Sequence, residues 1–172
     1  IGLYRRAFTL PPEWKGRRLH LHFAGVNTAF VAWLNGMEVG ASKASHIPSE
    51  FDLTPLVKDG ENLLAVLVFK WADSSYLEDQ DFWRLSGIFR DVTLHARSPL
   101  HVFDVEARPG LDAQYRDGTL DVSASFRNAG ATAADGKAAL KLLDPAGAVV
   151  AEGKLDAGKL KGGGTAFAKA SL

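Results

Sequence analysis

Ala29-Phe30-Val31-Ala32-Trp33-Leu34-Asn35-Gly36-Met37-Glu38-Val39-Gly40 is the stretch on which the fold turns. Residues 29–34 form a dense aromatic and β-branched run, which predicts a strand. Asn35-Gly36 follows it, and both residues tolerate the positive φ of a two-residue hairpin turn. Residues 37–40 are then the return strand. Upstream, residues 17–23 alternate with period two: Leu19, Leu21 and Phe23 face one way, Arg18, His20 and His22 the other. Downstream, residues 63–69 are continuously apolar, as expected of a central strand, and Lys58-Asp59-Gly60-Glu61 is the turn before them. Residues 87–96 read as one further strand. Residues 54–57 form a single turn, and no stretch has the 3.6-residue period of a long helix.

The pattern continues with fewer aromatics after Pro99. Residues 102–107 alternate. Leu120, Val122, Ala124 and Phe126 alternate with Asp121, Ser123, Ser125 and Arg127. Asp117-Gly118, Asp135-Gly136 and Asp144-Pro145-Ala146-Gly147 read as turns, and Gly162-Gly163-Gly164 as a loop. Many short strands at this spacing predict an all-β protein of two consecutive β-sandwiches. A boundary at Ser98-Pro99 divides them into residues 1–97 and 98–172. Thirteen of the seventeen aromatics, including all four tryptophans, precede that boundary, so the first part is the better binding surface. The second part has about five strand candidates, fewer than the seven of a full immunoglobulin-like sandwich.

The chain has 172 residues, 20 basic against 20 acidic side chains, and no cysteine. Zero net charge argues against nucleic acid and against an anionic membrane surface. The absence of cysteine excludes disulfides and thiolate chemistry and fits a reducing compartment. No apolar run approaches the roughly 20 residues of a membrane span. The opening Ile1-Gly2-Leu3-Tyr4-Arg5-Arg6 lacks the order of a signal peptide and reads as a cut within a larger protein. The expected location is cytoplasmic.

Residues 71–90 carry the chemistry. Asp73, Glu78, Asp79 and Asp81 place four carboxylates in nine residues, interleaved with Trp71, Tyr76, Phe82 and Trp83 and followed by Arg84 and Arg90. So long a loop in a compact domain is usually functional when aromatics keep it ordered. Aromatic faces suit the C–H faces of a pyranose, and carboxylates accept from its hydroxyls or hold a hard cation. The alternative is structural: the acids pair with Arg84, Arg90 and loop N–H groups, and the aromatics seal the sandwich. Asp79 and Asp81 would project to one side if extended, so a retaining glycosidase pair is conceivable, although both read more naturally as ionised anchors. His20 and His22 share a strand face, either a polar row or two metal ligands. His46, His95 and His101 lack partners nearby in sequence. Asn27 reads as a tight-turn residue or a ligand contact. There is no G-x-S-x-G elbow, and no Lys-Ser/Thr follows the glycine triplet as a phosphate loop requires.

Together these segments resemble the β-galactosidases of glycoside hydrolase family 2. The resemblance runs through Phe23-Ala24-Gly25-Val26-Asn27-Thr28-Ala29-Phe30, Trp33-Leu34-Asn35-Gly36, Pro48-Ser49-Glu50-Phe51-Asp52-Leu53 and Gly60-Glu61-Asn62. It is strongest in Ser75-Tyr76-Leu77-Glu78-Asp79-Gln80-Asp81-Phe82-Trp83-Arg84 and Ser86-Gly87-Ile88-Phe89-Arg90-Asp91-Val92. It implies a jelly-roll sugar-binding domain, then an immunoglobulin-like domain, with further strands before Ile1 and after Leu172. A catalytic barrel carrying both reactive glutamates would follow, so no catalytic residue is expected here. The resemblance makes Asp81 the substrate-binding residue and a sodium ligand, with Trp83 and Glu78 as further candidates. It makes Asp73 a magnesium ligand, although Lys43 stands where relatives have a glutamine. The implied partners are a β-galactoside, the downstream barrel and further copies of the chain in a homo-oligomer. The rival readings are a free-standing carbohydrate-binding module and a structural adaptor.

Overall fold

A computed structural model describes residues 1–172 except Asp79, Phe82 and Arg84. Contacts divide the chain into two compact units, Ile1–Arg97 and Ser98–Leu172. The protein is all-β, and each unit is a sandwich.

The first unit contains β1 (Gly2–Thr9), a 3₁₀ turn (Pro12–Trp14), β2 (Arg18–Phe23), β3 (Val26–Asn27), β4 (Ala29–Leu34), β5 (Met37–Ser42), β6 (Ser49–Asp52), β7 (Glu61–Phe69), the helical turn α1 (Ser75–Glu78), β8 (Gly87–Ile88) and β9 (Val92–Arg97). One antiparallel sheet has the order β1-β7-β4-β5, the other β6-β2-β9, and β3 pairs with β8. The period-two rows meet in the middle. Leu19, Leu21 and Phe23 of β2 pack with Phe30, Ala32 and Leu34 of β4 and Val66 and Val68 of β7. The Phe23 and Phe30 rings lie 4.5 Å apart, and Phe51 meets both edge-on. A one-residue slip of β2 would turn this apolar row into solvent, so the pattern itself pins the register.

Asn35 (φ 53°) and Gly36 (φ 85°) make the expected β4–β5 turn. Asn35 also reaches beyond it: its side-chain nitrogen donates to Leu56 O (3.1 Å) and Asn62 Oδ1 (2.9 Å), and its oxygen accepts from Leu63 N (3.0 Å). Gly40 has φ 155°, and a Cβ there would lie 2.5 Å from the Phe51 ring, so glycine lets that ring close the core.

Two elements depart from the sequence reading. Residues 87–96 are not one strand: β8 and β9 are separated at Phe89–Asp91, because the chain changes partner from β3 to β2. Ala24 N–H donates to Asp91 O (3.0 Å), and Arg90 Nη1 donates to Ala24 O (3.3 Å) and His46 O (3.1 Å). Residues 2–9 form an unforeseen strand, paired along its length with β7 from Gly2↔Val68 to Thr9↔Glu61. It shows no alternation because little covers either face. Its side chains border a cleft of about 760 Å³ that opens between β1 and β9.

The second unit contains β10 (Leu100–Leu111), β11 (Gly118–Asn128), β12 (Ala134–Leu143), β13 (Val149–Leu160) and β14 (Thr165–Ser171). The sheets are β10-β11-β14 and β12-β13, and the buried core is Val122, Ala124, Phe126, Leu155, Leu160 and Ala168. Asp144 caps its turn by accepting from Ala148 N (2.8 Å). Asp135-Gly136 is not a turn. It lies inside β12, where the register shifts between Asp135 and Lys137. A Cβ on Gly136 would stand 2.6 Å from Leu160 Cδ1, so this glycine marks a bulge that admits a core leucine.

Candidate functional site

The acidic loop leaves the end of β7 and is gripped at once by its neighbours. Thr28 N–H donates to Phe69 O (3.1 Å), and Thr28 Oγ1 lies 2.9 Å from Lys70 O and 2.7 Å from Asn27 Oδ1. The helical turn α1 closes through Ala72 N–H to Ser75 Oγ (3.1 Å) and Glu78 N–H to Ser74 O (3.0 Å).

Two residues of the β5–β6 connection hold the two ends of this turn. Lys43 Nζ lies 2.8 Å from Asp73 Oδ2. The Lys43 hydrogen bond holds the Asp73 carboxyl below the usual carboxylate range, and Asp73 Oδ1 accepts from Ser74 N–H (3.0 Å). Ser45 is 1 % exposed. Its hydroxyl bonds the Glu78 carboxylate and lies 3.2 Å from Thr28 O. Glu78 is therefore turned into the fold as an anchor. Of the described loop acids, Asp73 and Glu78 pair with the β5–β6 connection rather than with Arg90, which donates to main-chain carbonyls, and the alternative reading holds in part where Asp73 accepts from the loop N–H of Ser74.

Beyond Glu78, the described residues Gln80, Asp81, Trp83 and Leu85 face water. Asp81 is exposed, in the left-handed region at φ 58°, and its carboxylate has no ion-pair partner among the described residues. Trp83 is 83 % and Tyr76 94 % exposed, and Leu77 and Leu85 are exposed beside them. Trp71 is half in water, with Lys70 Nζ 5.5 Å from its ring centre. Asn27 Nδ2 donates to Leu85 O (3.2 Å), tying down the far end of the loop. Asn27 thus braces the site from a short strand. Asp79, Phe82 and Arg84 lie outside the described residues, and with Asp79 the proposed carboxylate pair. The cleft between β1 and β9 is lined by no described residue of 71–86, so Asp81 and Trp83 lie apart from it.

The histidines belong to a different surface. His20 and His22 face outward from β2, opposite Asp52 and Glu50 of β6 and His95 and Thr93 of β9. Arg97 makes two 2.7 Å bonds to Glu50, and Arg18 lies 2.5 Å from Asp52. Burial raises the Glu50 carboxyl, but the Arg97 bonds and charge, with His20 and His22, bring it below its ordinary value. Asp52 is likewise raised by burial and then drawn below its ordinary value by Thr54, Arg18 and His20. His95, without partners in sequence, meets Thr93 Oγ1 (2.9 Å) and the His22 ring (5.6 Å). His101 meets Ser98 O (2.9 Å), and His46 meets the Phe89 ring (5.6 Å). Among the described residues no three His, Asp or Glu side chains could hold a metal ion.

The two implied cations fare differently. A lone exposed carboxylate such as Asp81 fits a monovalent cation shared with sugar hydroxyls. A divalent cation at Asp73 does not fit: one carboxylate oxygen holds the Lys43 ammonium and the other a backbone N–H, whereas magnesium requires six oxygen ligands. Sequence reading singled out Lys43 but missed Ser45. A serine in Ser42-Lys43-Ala44-Ser45 gives no local sign that it will meet an acid 33 positions away.

Residues 1–98 match the family described as "Glycosyl hydrolases family 2, sugar binding domain". The chain belongs to that family. It is 49 % identical over 128 residues to a β-galactosidase of Priestia megaterium, covering 74 % of this chain and 12 % of that protein. It is 51 % identical over 125 residues to a β-galactosidase of Pseudoalteromonas haloplanktis, covering 73 % and 12 %. It thus spans about an eighth of the length of these relatives. Among solved structures, a β-glucuronidase from glycoside hydrolase family 2 superposes with TM-score 0.86 at 25 % identity, over 98 % of this chain and 20 % of that one. A β-glycosidase from Bacteroides vulgatus does so with TM-score 0.75 at 25 % identity, over 99 % and 21 %. No helix among the described residues is long and apolar enough to cross a membrane.

Proposed function

We propose that this chain is the non-catalytic, sugar-binding amino-terminal part of a β-galactosidase, a retaining hydrolase of terminal β-D-galactosides. The carrying observation is the exposed Asp81 and Trp83 at the tip of a loop whose root is pinned by Lys43, Ser45 and Asn27. A root held by these side chains, with an exposed carboxylate and an open indole at its end, is suited to completing a site built mostly elsewhere. That fits the absence of a convincing acid–nucleophile pair in the sequence and the similarity to β-galactosidases several times longer. In this reading Asp81 accepts from a galactose hydroxyl and shares a sodium ion with it. Trp83 offers an apolar face. The two reactive glutamates belong to a catalytic barrel following the second, immunoglobulin-like sandwich. The whole protein would work as a homo-oligomer in the cytoplasm.

The test is Asp81→Ala in the full-length enzyme. Loss of a charge-assisted hydrogen bond of about 1.5–3 kcal/mol lowers kcat/KM roughly tenfold to a hundredfold or more, with an unchanged melting temperature. Unchanged kinetics with a large fall in melting temperature would assign Asp81 to structure. The purified 172-residue chain should release no nitrophenol from an aryl β-galactoside. Tight galactose binding by that chain alone would instead favour a free-standing carbohydrate-binding module.

A further inference from the structure

We infer that Lys43 is a built-in cation at Asp73, replacing a divalent metal, so that the root of the Asp81 loop is set without magnesium. The inference rests on the reading above only in taking this loop as the one that serves the sugar.

The geometry is that of a clasp. Lys43 follows the end of β5 and Asp73 lies just past the end of β7, two strands that flank β4 in one sheet. The ammonium reaches across the start of β4 to the carboxylate at 2.8 Å. Beneath it is a shallow hollow of about 380 Å³ with Ala29, Phe30, Val31, Ala41, Phe69 and Ala72 in its lining. Such a floor suits the four-carbon stem of a lysine, which lays its methylenes on apolar surface and presents its charge beyond it. It suits a hydrated Mg²⁺ badly, because that ion surrounds itself with six oxygens.

Most of the described polar side chains nearby are already committed, and Ser74 Oγ, buried without a partner, is the exception. Ser42 Oγ meets Ser49 Oγ (2.8 Å) and accepts from Ala44 N–H (3.3 Å). Asp73 Oδ1 accepts from Ser74 N–H, and Ser45 is spent on Glu78 and Thr28. A second cation beside the ammonium would meet repulsion, and a single hydroxyl, Ser74 Oγ, falls far short of the six oxygens magnesium takes. One positive charge against one carboxylate already neutralises the site. The neighbouring Ser45–Glu78 bond holds the other end of α1, so this short connection fixes both ends of the turn that leads to Asp81.

The experiment uses the 172-residue chain, with MgCl₂ as ligand and Mn²⁺ as a paramagnetic probe sensitive to weak binding. For the natural sequence, MgCl₂ leaves the melting temperature unchanged, and Mn²⁺ causes no selective broadening of the Ala44 and Ser74 amide signals. Lys43→Gln removes the charge and adds an oxygen donor. It should bind Mn²⁺ about tenfold or more tightly, with broadening centred on those two amides, and the added change Asp73→Asn should abolish the effect. Lys43→Arg keeps the charge and should behave like the natural chain. Saturable Mg²⁺ binding by the natural chain that disappears in Asp73→Asn would overturn the inference. So would a Lys43→Gln variant, folded by circular dichroism, that binds Mn²⁺ no better than the natural chain. Neither result involves turnover, so the outcome is independent of whether the whole protein cleaves galactosides.

Discussion

The two units solve the same packing problem with different materials. The first interlocks the rings of Phe23, Phe30 and Phe51 between two sheets. The second closes on Phe126 surrounded by valine, leucine and alanine. Both then use one buried asparagine to hold irregular backbone. Asn62 is fully buried and has four partners: its oxygen accepts from Asn35 Nδ2 and Lys58 N, and its nitrogen donates to Lys58 O and Gly60 O. Asn128 has three: its nitrogen donates to Thr132 O and Leu160 O, and its oxygen accepts from Gly130 N. The long loop grows from the unit with the interlocked rings. Ordering its backbone costs about 1–2 kcal/mol per residue, and a deep core with side-chain clasps offsets that cost better than a thin one.

The comparison is tested most severely by removing one ring from each core. Phe23→Ala and Phe126→Ala should each cost about 3–5 kcal/mol. Calorimetry should show a lowered first-unit transition for Phe23→Ala, because Phe30 and Phe51 remain. For Phe126→Ala it should show loss of the second-unit transition altogether. Equal, modest shifts would mean that the second core has reserves its composition does not suggest. The asparagines come next. Asn62→Ala and Asn128→Ala each strand buried backbone groups, at about 1–3 kcal/mol, and the four-partner Asn62 should show the larger fall in urea midpoint.

Acid should also separate the units. Glu50 and Asp52 have carboxyls below their ordinary values in the folded first unit. Their contribution is fully present above the unfolded value of about pH 4 and is lost as pH falls through the lower folded values. Melting curves between neutral and strongly acid pH should therefore show the first unit weakening below about pH 4, with Arg97→Gln flattening the dependence. A first-unit transition indifferent to acid would remove these carboxylates from its stability. The smallest effect belongs to the exposed pair Lys141–Glu152 of the second unit, at 3.5 Å. Lys141→Ala should change stability by no more than about 0.5 kcal/mol.

Local signals carried much of the architecture. The alternation at Leu19, Leu21 and Phe23 and the Asn35-Gly36 turn were legible because each depends on neighbours within a few residues. The β1 strand was not, because an edge strand with little cover has no amphipathic pattern to read. The break at Phe89–Asp91 was missed because Asp91 stands there without an adjacent Gly, Pro or Asn and reads as one more residue of a strand. It arises where Gly25, which could not carry a Cβ within 2.8 Å of the Phe89 ring, lets the chain cross between partners. Asp135-Gly136 was misread as a turn because a bulge glycine and a turn glycine look alike until the facing leucine is known.

For the acidic loop the same division holds. Its composition, four carboxylates among aromatics after a central strand, made residues 71–90 the candidate site. Which of the described acids have side-chain partners was decided by residues about thirty positions away. Ser45 and Lys43 take Glu78 and Asp73 as partners, leaving Asp81 and Trp83 exposed. Side-chain type and period are properties of the chain itself, so strand faces and loop content follow directly from the sequence. Pairing across the sheet depends on which strand ends meet in space, and only the tertiary strand order β7-β4-β5 brings the end of β5 beside the end of β7.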